Sequence, residues 1–305
     1  VLEPAGLSAQ VLIIDDGSDE SLDETVISNL AFDHITNISI VELTHNLGNQ
    51  RAIAVGISYV AENMTCDYLV VMDSDHEDNP EYIPELIETS VKHGGKMVFA
   101  ARSRRSEGLV FRICYRLYRM LFRLLTGSPI SIGNFSVMPG SAVVRIANLS
   151  WLWSHYPSSV IKAKLPYETI SSARGHRYAG KSSMRFVTLI IHGFTGFAVH
   201  ADVVVARIFV TLIGLVGLIV LGVATVLGFK FFTDILILGW ATQVLGILLV
   251  LFIQAIVIVF ILFFIVLLTR NQRTIIPIRD YRDFILSIEH IYHREGRAAS
   301  AAATE

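Results

Sequence analysis

Tyr68-Leu69-Val70-Val71-Met72-Asp73-Ser74-Asp75 decides the reading of this chain. An unbroken apolar run of this length, closed by acids, predicts a short strand covered on both faces. Asp73 then falls at the strand's carboxyl end, and Asp75 lies one pleat further on the same side. Other runs share the pattern. Residues 10–14 end at Asp15-Asp16-Gly17-Ser18, residues 38–43 precede Asn46-Leu47-Gly48, and residues 98–101 end at Arg102. Helical patterns fall between them, from about Leu22 and again along Ala52, Ile53, Val55, Gly56, Ile57, Tyr59 and Val60. Strands alternating with helices at this spacing predict an α/β fold, a mostly parallel sheet with helices on both faces. Ligands of such folds bind at the carboxyl ends of the strands. Here those ends carry Asp15 and Asp16, Asp73 and Asp75, and Arg102.

The 305 residues are 52% hydrophobic with a formal net charge of −2, an average that conceals two unlike halves. Up to about residue 199 the chain mixes charge, turns and short apolar runs, whereas 208–227 and 235–268 are almost uncharged. A bilayer crossing needs roughly 20 apolar residues, so each run predicts one helix, the second long or tilted. Arg207 precedes the pair and Arg270, Arg273, Arg279 and Arg282 follow it, while the connection holds only Lys230 and Asp234. The positive-inside bias therefore puts both ends in the cytoplasm. Neither run is N-terminal, so neither reads as a signal peptide, and a chain that opens with Val1 reads as a fragment or a processed form. Cys66 and Cys114 form no disulfide framework or metal spacing.

Two carboxylates aimed into one cleft repel unless a cation sits between them, and Mg²⁺ or Mn²⁺ would accept their oxygens together with those of a diphosphate. Acidic pairs after strands also serve as turns and helix caps. Asp15-Asp16-Gly17-Ser18 suits either an acid that accepts from a base or ribose or an ordinary turn, with Gly17 allowing a tight bend. Arg112, Arg116, Arg119 and Arg123 recur at spacings of four, three and four, which places them on one helical face. Phe111, Tyr115, Tyr118, Met120, Leu121, Phe122 and Leu124 fill much of the remainder. The pattern fits an interfacial helix that meets anionic head groups, or a solvated basic face on a helix packed against the domain. His76 sits beside the acids, but its pleat position argues for a structural role, and no histidine pair has zinc-ligand spacing.

These motifs, in this order, resemble glycosyltransferase family 2, in the branch of dolichol-phosphate mannose synthases and bacterial polyisoprenyl-phosphate glycosyltransferases. The similarity covers nearly the whole chain, including the paired C-terminal helices. Ile14-Asp15-Asp16-Gly17-Ser18 resembles the family's nucleotide-contacting turn, Asn46-Leu47-Gly48 with Ala52-Ile53 and Gly56 its second helix start, and Met72-Asp73-Ser74-Asp75 with Pro80 its metal motif. Arg102 matches an arginine near the donor and acceptor phosphates. Arg177-Tyr178-Ala179-Gly180-Lys181-Ser182 resembles the motif before the membrane helices, which implies donor-diphosphate contacts from Arg177 and Ser182. The resemblance implies a GT-A-like (Rossmann-like) catalytic domain over 1–185 and an amphipathic interfacial segment over 186–204. Transmembrane helices at about 206–228 and 236–268 and a cytoplasmic basic tail over 270–305 follow.

The chain also departs from the family. Nothing corresponds to the usual first strand with its Pro-Tyr-Asn-Glu-like turn. Glu77 stands where relatives often carry Gln, which leaves it as the expected third metal ligand, and Ser183 stands where they carry Lys. Asn134 occupies a position where many relatives have Asp. A hydroxyl acceptor needs a carboxylate base, whereas a monophosphate, with a second pKa of about 6, attacks without one. Asn134 is therefore expected to mark a phosphate acceptor.

The expected function is inverting transfer of a sugar from a UDP- or GDP-linked donor to a polyisoprenyl phosphate at the cytoplasmic face of a bacterial inner membrane. Ile14, Asp16, Asp73, Ser74, Asp75, Arg177 and Ser182 would contact the donor, Asp73, Asp75 and Glu77 the metal, and Arg102, Arg112, Arg116 and Asn134 the acceptor phosphate, with Asp75 and Arg102 catalytic. The alternatives are a transferase with a saccharide or another lipid as acceptor, and an inactive membrane scaffold. Self-association through the helices fits the pattern, and no nucleic-acid partner is expected.

Overall fold

The computed structural model describes residues 6–19, 32–102, 109–129, 132–173, 175, 195–232, 239–270 and 273–293. They fall into two compact units, one of 1–118, 129–199 and 275–305, the other of 119–128 and 200–274.

Each of the expected strands forms: β1 (Ala9–Asp15), β2 (Ile35–Leu43), β3 (Tyr68–Val71) and β4 (Met97–Arg102). Two more, β5 (Ser136–Pro139) and β6 (Tyr167–Ser172), complete a sheet ordered β3-β5-β4-β6. The α/β class holds, but the sheets are mixed. β1 pairs with β2 and β4 with β6 in parallel, whereas β5 runs antiparallel to both β3 and β4. Apolar alternation reads the same in either direction along a strand, so it does not encode this reversal.

The alternation does position the core. Met97 and Phe99 on one face of β4 join Met138, Tyr156 and the helix residues Ala54 and Ile57. Val98 and Ala100 on the other face meet Val137, Phe135 and Leu86. Helices therefore cover both faces of this sheet. α1 (Asn49–Asn63) lies between the two sheets' cores, with Ala54, Ile57 and Val60 in one cluster and Ala52 and Val55 in another, beside Val41 and Leu43 of β2. Offsets of three and four residues generate these two stripes. α2 (Ile83–Lys92) buries Leu86 and Ser90, one turn apart, and Ser90 Oγ donates to the Lys96 carbonyl at 2.6 Å.

The expected basic tail is not a tail. After the apolar helices the chain rejoins the first unit: β7 (Ile285–His293) pairs antiparallel with β2 and closes a β1-β2-β7 sheet. Tyr281 is buried ahead of it, and its hydroxyl donates to Glu62 Oε2 at 2.9 Å.

In the second unit, α6 (Ala201–Phe232) and α7 (Trp240–Arg270) are long enough to cross a bilayer. Their most apolar windows have mean hydropathies of 2.7 and 3.3 and are only 11% and 6% buried, so they are not core helices of a globular domain. α3 (Leu109–Thr126) carries the arginine repeat, and its last turns belong to this unit. Phe122 there is buried edge-on to His200, and the Arg207 guanidinium donates to the Leu124 carbonyl, capping the helix. Two shorter helices of the first unit are α4 (Gly140–Ala147) and α5 (Tyr156–Lys162).

Candidate active site

The site is built from the turn after β1, the start of α1, the turn after β3 and the approach to β5. After β1, Asp15 Oδ1 accepts from the Ser18 amide at 2.9 Å. Asp16 reaches across the sheet edge, its two oxygens accepting from the amides of Leu47 at 2.6 Å and Gly48 at 2.8 Å. Gly48 (φ 89°) is the residue before α1 and has no side chain to cap the helix, so the Asp16 carboxylate holds the segment entering it. Gly17 (φ 73°) lies against this segment, where an added Cβ would be 2.9 Å from the Asn46 nitrogen. The acid expected to read a nucleoside thus braces two loops together. Ile14 packs its side chain against Gly56 of α1, 3.1 Å from where a Cβ would be.

Beyond β3, Asp73 and Asp75 enter a tight turn. The Asp73 amide donates to Oδ2 of buried Asp78 at 3.0 Å, and the Glu77 amide to Asp75 Oδ1 at 3.0 Å. His76 adopts the left-handed region (φ 64°), uncommon for a residue with a Cβ. The turn is latched from the far side: the Gly175 amide donates to the Glu77 carbonyl at 3.0 Å, and Ala173 donates to the Tyr82 hydroxyl at 3.1 Å.

Asp73 Oδ1 also accepts from Asn49 Nδ2 at 3.0 Å. Asn49 Oδ1 accepts from Asn134 Nδ2 at 3.2 Å, Asn134 Oδ1 from Gln50 Nε2 at 3.0 Å, and Gln50 Oε1 from the Tyr156 amide at 2.8 Å. The Tyr156 hydroxyl shares a 2.8 Å bond with Ser136 Oγ, and burial pushes its pKa above the ordinary phenol range, so it stays protonated. Asn49, Gln50 and Tyr156 were absent from the sequence prediction. Neutral amides at a helix start make no charge pattern, and only their proximity to Asp73 and Asn134 gives them away.

The structure therefore brings together Asp16, Asp73 and Asn134 through the α1 entrance, with Asp75 in the same turn as Asp73. Ser74 is exposed in the acidic turn. Arg102 ends β4, Arg112 lies in the opening turns of α3, and Arg116 is exposed on the same helix. Arg177 and Ser182, and residues 186–194 of the interfacial segment, lie outside the described residues. The expected three-acid metal set is not assembled: among the described residues no three His, Cys, Asp or Glu side chains converge as ligands, and Glu77 meets Asp75 through its backbone. Asp73 and Asp75 nevertheless fit a hard cation of the kind that takes one or two carboxylates and completes its shell with phosphate oxygens and water.

Residues 5–146 match the Glycosyl transferase family 2 domain. That match spans a little under half of the chain. It is 27% identical over 252 residues to a Bacillus subtilis (strain 168) protein described as the uncharacterized glycosyltransferase YkcC, a match covering 80% of this chain and 74% of that one. Undecaprenyl-phosphate 4-deoxy-4-formamido-L-arabinose transferases of Salmonella paratyphi B and Salmonella newport are 31% identical over 138 residues. Those matches cover 45% of this chain and only 39% of theirs.

Proposed function

We propose that this protein moves a sugar from a UDP- or GDP-linked donor to a polyisoprenyl phosphate at the cytoplasmic face of a bacterial inner membrane, with inversion at the anomeric carbon. The observation that carries the reading is the Asp73–Asp75 turn at the end of β3, in a chain whose relatives include undecaprenyl-phosphate transferases and which adds two helices of spanning length. A phosphate oxygen of the acceptor forms the new bond to the anomeric carbon as the bond to the leaving diphosphate breaks, and the electron pair departs with the nucleotide. The acceptor oxyanion is available near neutral pH, so no side chain need remove a proton. Asp73 and Asp75 would hold Mg²⁺ or Mn²⁺, which supplies positive charge to the diphosphate. Arg102 and Arg177 add charge at the same end, Ser182 a hydrogen bond, and Arg112 and Arg116 draw the acceptor phosphate inward. Asp16 serves the donor indirectly, by fixing the 45–48 segment against the β1 turn.

The connectivity supports the membrane reading. Residues 275–293 return to the same unit that the chain leaves at 199, so the helix pair is tied to the catalytic unit at both ends, as a hairpin with both ends on one face would be. Arginines concentrated at those ends favour the cytoplasm.

The test is labelled-sugar transfer from a panel of UDP- and GDP-sugars to undecaprenyl phosphate in nanodiscs, with Mn²⁺ or Mg²⁺ against EDTA, for the wild type and Asp75→Asn. We expect a metal-dependent lipid product that falls roughly 100-fold in the variant. Absence of product with every donor, from folded protein, would overturn the reading in favour of another acceptor or a scaffold.

A further inference from the structure

The amide chain from Tyr156 to Asp73 runs in one direction. A backbone N–H can only donate and a carboxylate can only accept, so the Tyr156 amide fixes one end and Asp73 the other. Between them each side-chain amide accepts with its oxygen and donates with its nitrogen: Tyr156 to Gln50, Gln50 to Asn134, Asn134 to Asn49, Asn49 to Asp73. Gln50 Nε2 also donates to Asn49 Oδ1 at 3.3 Å, closing the three amides into a cluster. Gln50 is buried, so its polar atoms need these partners.

We propose that Asn49, Gln50 and Asn134 are positioning residues of the donor side, a polarised relay that holds the Asp73 carboxylate in its working orientation. The proposal rests on the donor role assigned to Asp73 above, and it moves Asn134 from the acceptor to the donor side. Position 134 must be an amide because it must accept from Gln50 and donate to Asn49. A carboxylate there would face Asn49 Oδ1 across the present 3.2 Å contact. Turning the Asn49 amide over would relieve that contact but aim its oxygen at Asp73. Either way one acceptor meets another, and the structure that orients Asp73 is lost.

The experiment uses the full chain in nanodiscs. Asn49→Ala and Asn134→Asp are compared with wild type by donor KM, acceptor KM and turnover-independent titration of Mn²⁺ with UDP or GDP, whichever nucleotide supports transfer. A charge-assisted hydrogen bond of this kind is worth about tenfold in affinity. Both variants are expected to weaken Mn²⁺–nucleotide binding and raise donor KM by that order while acceptor KM stays within about twofold of wild type. Melting temperature supplies an independent arm: Asp73→Asn in the Asn134→Asp background gives a flipped Asn49 partners at both ends, so the double variant should melt above Asn134→Asp alone. The relay is overturned if Asn134→Asp leaves donor KM and Mn²⁺–nucleotide binding unchanged while acceptor KM rises, or if the double variant melts no higher. The melting arm needs neither metal nor transfer, so it separates failure of the relay from failure of the donor assignment.

Discussion

Gly175 lies so close to the His76 carbonyl that a Cβ at position 175 would sit 2.0 Å from that oxygen. The segment after β6 and the acidic turn after β3 thus meet backbone to backbone, secured by the Gly175 amide on the Glu77 carbonyl. His76 occupies its left-handed conformation under this contact, an arrangement that persists only where the surroundings over-determine it.

Gly175→Ala must push the acidic turn away from β6, and displacement of about 1 Å at a reacting centre costs on the order of 100-fold. We expect transfer to fall by roughly tenfold to 100-fold, with a smaller loss of stability because the contact lies at a sheet end. Steady-state kinetics beside a thermal melt would check this. A variant with wild-type kinetics would show that the turn does not depend on the latch.

The C-terminal return makes a second prediction. Tyr281 is 2% exposed, packs beside Val41, Leu43 and Val55, and ties Asn63 and Glu62 of α1 to the segment before β7. Arg282 adds a 2.7 Å contact to the same Glu62 oxygen. Tyr281→Ala leaves a cavity between α1 and β2 and should cost about 3 kcal/mol or more, read as a clear fall in melting temperature. Tyr281→Phe keeps the ring and should cost about 1 kcal/mol, the value of the lost hydroxyl bonds. If 275–293 were only an appended tail, both variants would melt like wild type.

What the sequence disclosed depended on how each signal is carried. Strands β1 to β4 were legible because each is an apolar run stopped by polar residues, and the acids after β1 and β3 pointed to the candidate site. The apolar helices were legible from length and lack of charge. The reversal of β5 was not, since direction leaves no trace in alternation, and β7 was hidden because a return across some 240 residues to β2 is a tertiary pairing with no local mark. Asp16 was found, but its partners were not: a carboxylate beside a glycine reads alike whether it accepts from a ligand or from the amides of Leu47 and Gly48. The relay through Asn49 and Gln50 was invisible for a related reason, because a neutral amide acquires meaning only from the groups at its two ends.

The exposed face of α3 yields the last prediction. Arg116, Arg119 and Arg123 are exposed, and so are Ile113, Leu117, Met120, Leu121 and Leu124. Apolar side chains in that number on one helix are costly in water, and arginines among them suit a surface where acyl chains and anionic head groups meet. In the proposed reading the helix pair anchors the protein, so this face would govern capture of an anionic lipid acceptor more than membrane attachment. Each arginine near an anionic surface contributes about 1 kcal/mol. Replacing Arg116, Arg119 and Arg123 with Ser should therefore raise the KM for polyisoprenyl phosphate by roughly tenfold or more in nanodiscs containing anionic lipid, with donor KM unchanged. Added salt should erase most of the difference, because screening weakens exposed charges first. An equal rise in donor and acceptor KM would instead mean that the face holds the catalytic unit together, and a melt of the same variant would then show the corresponding loss of stability.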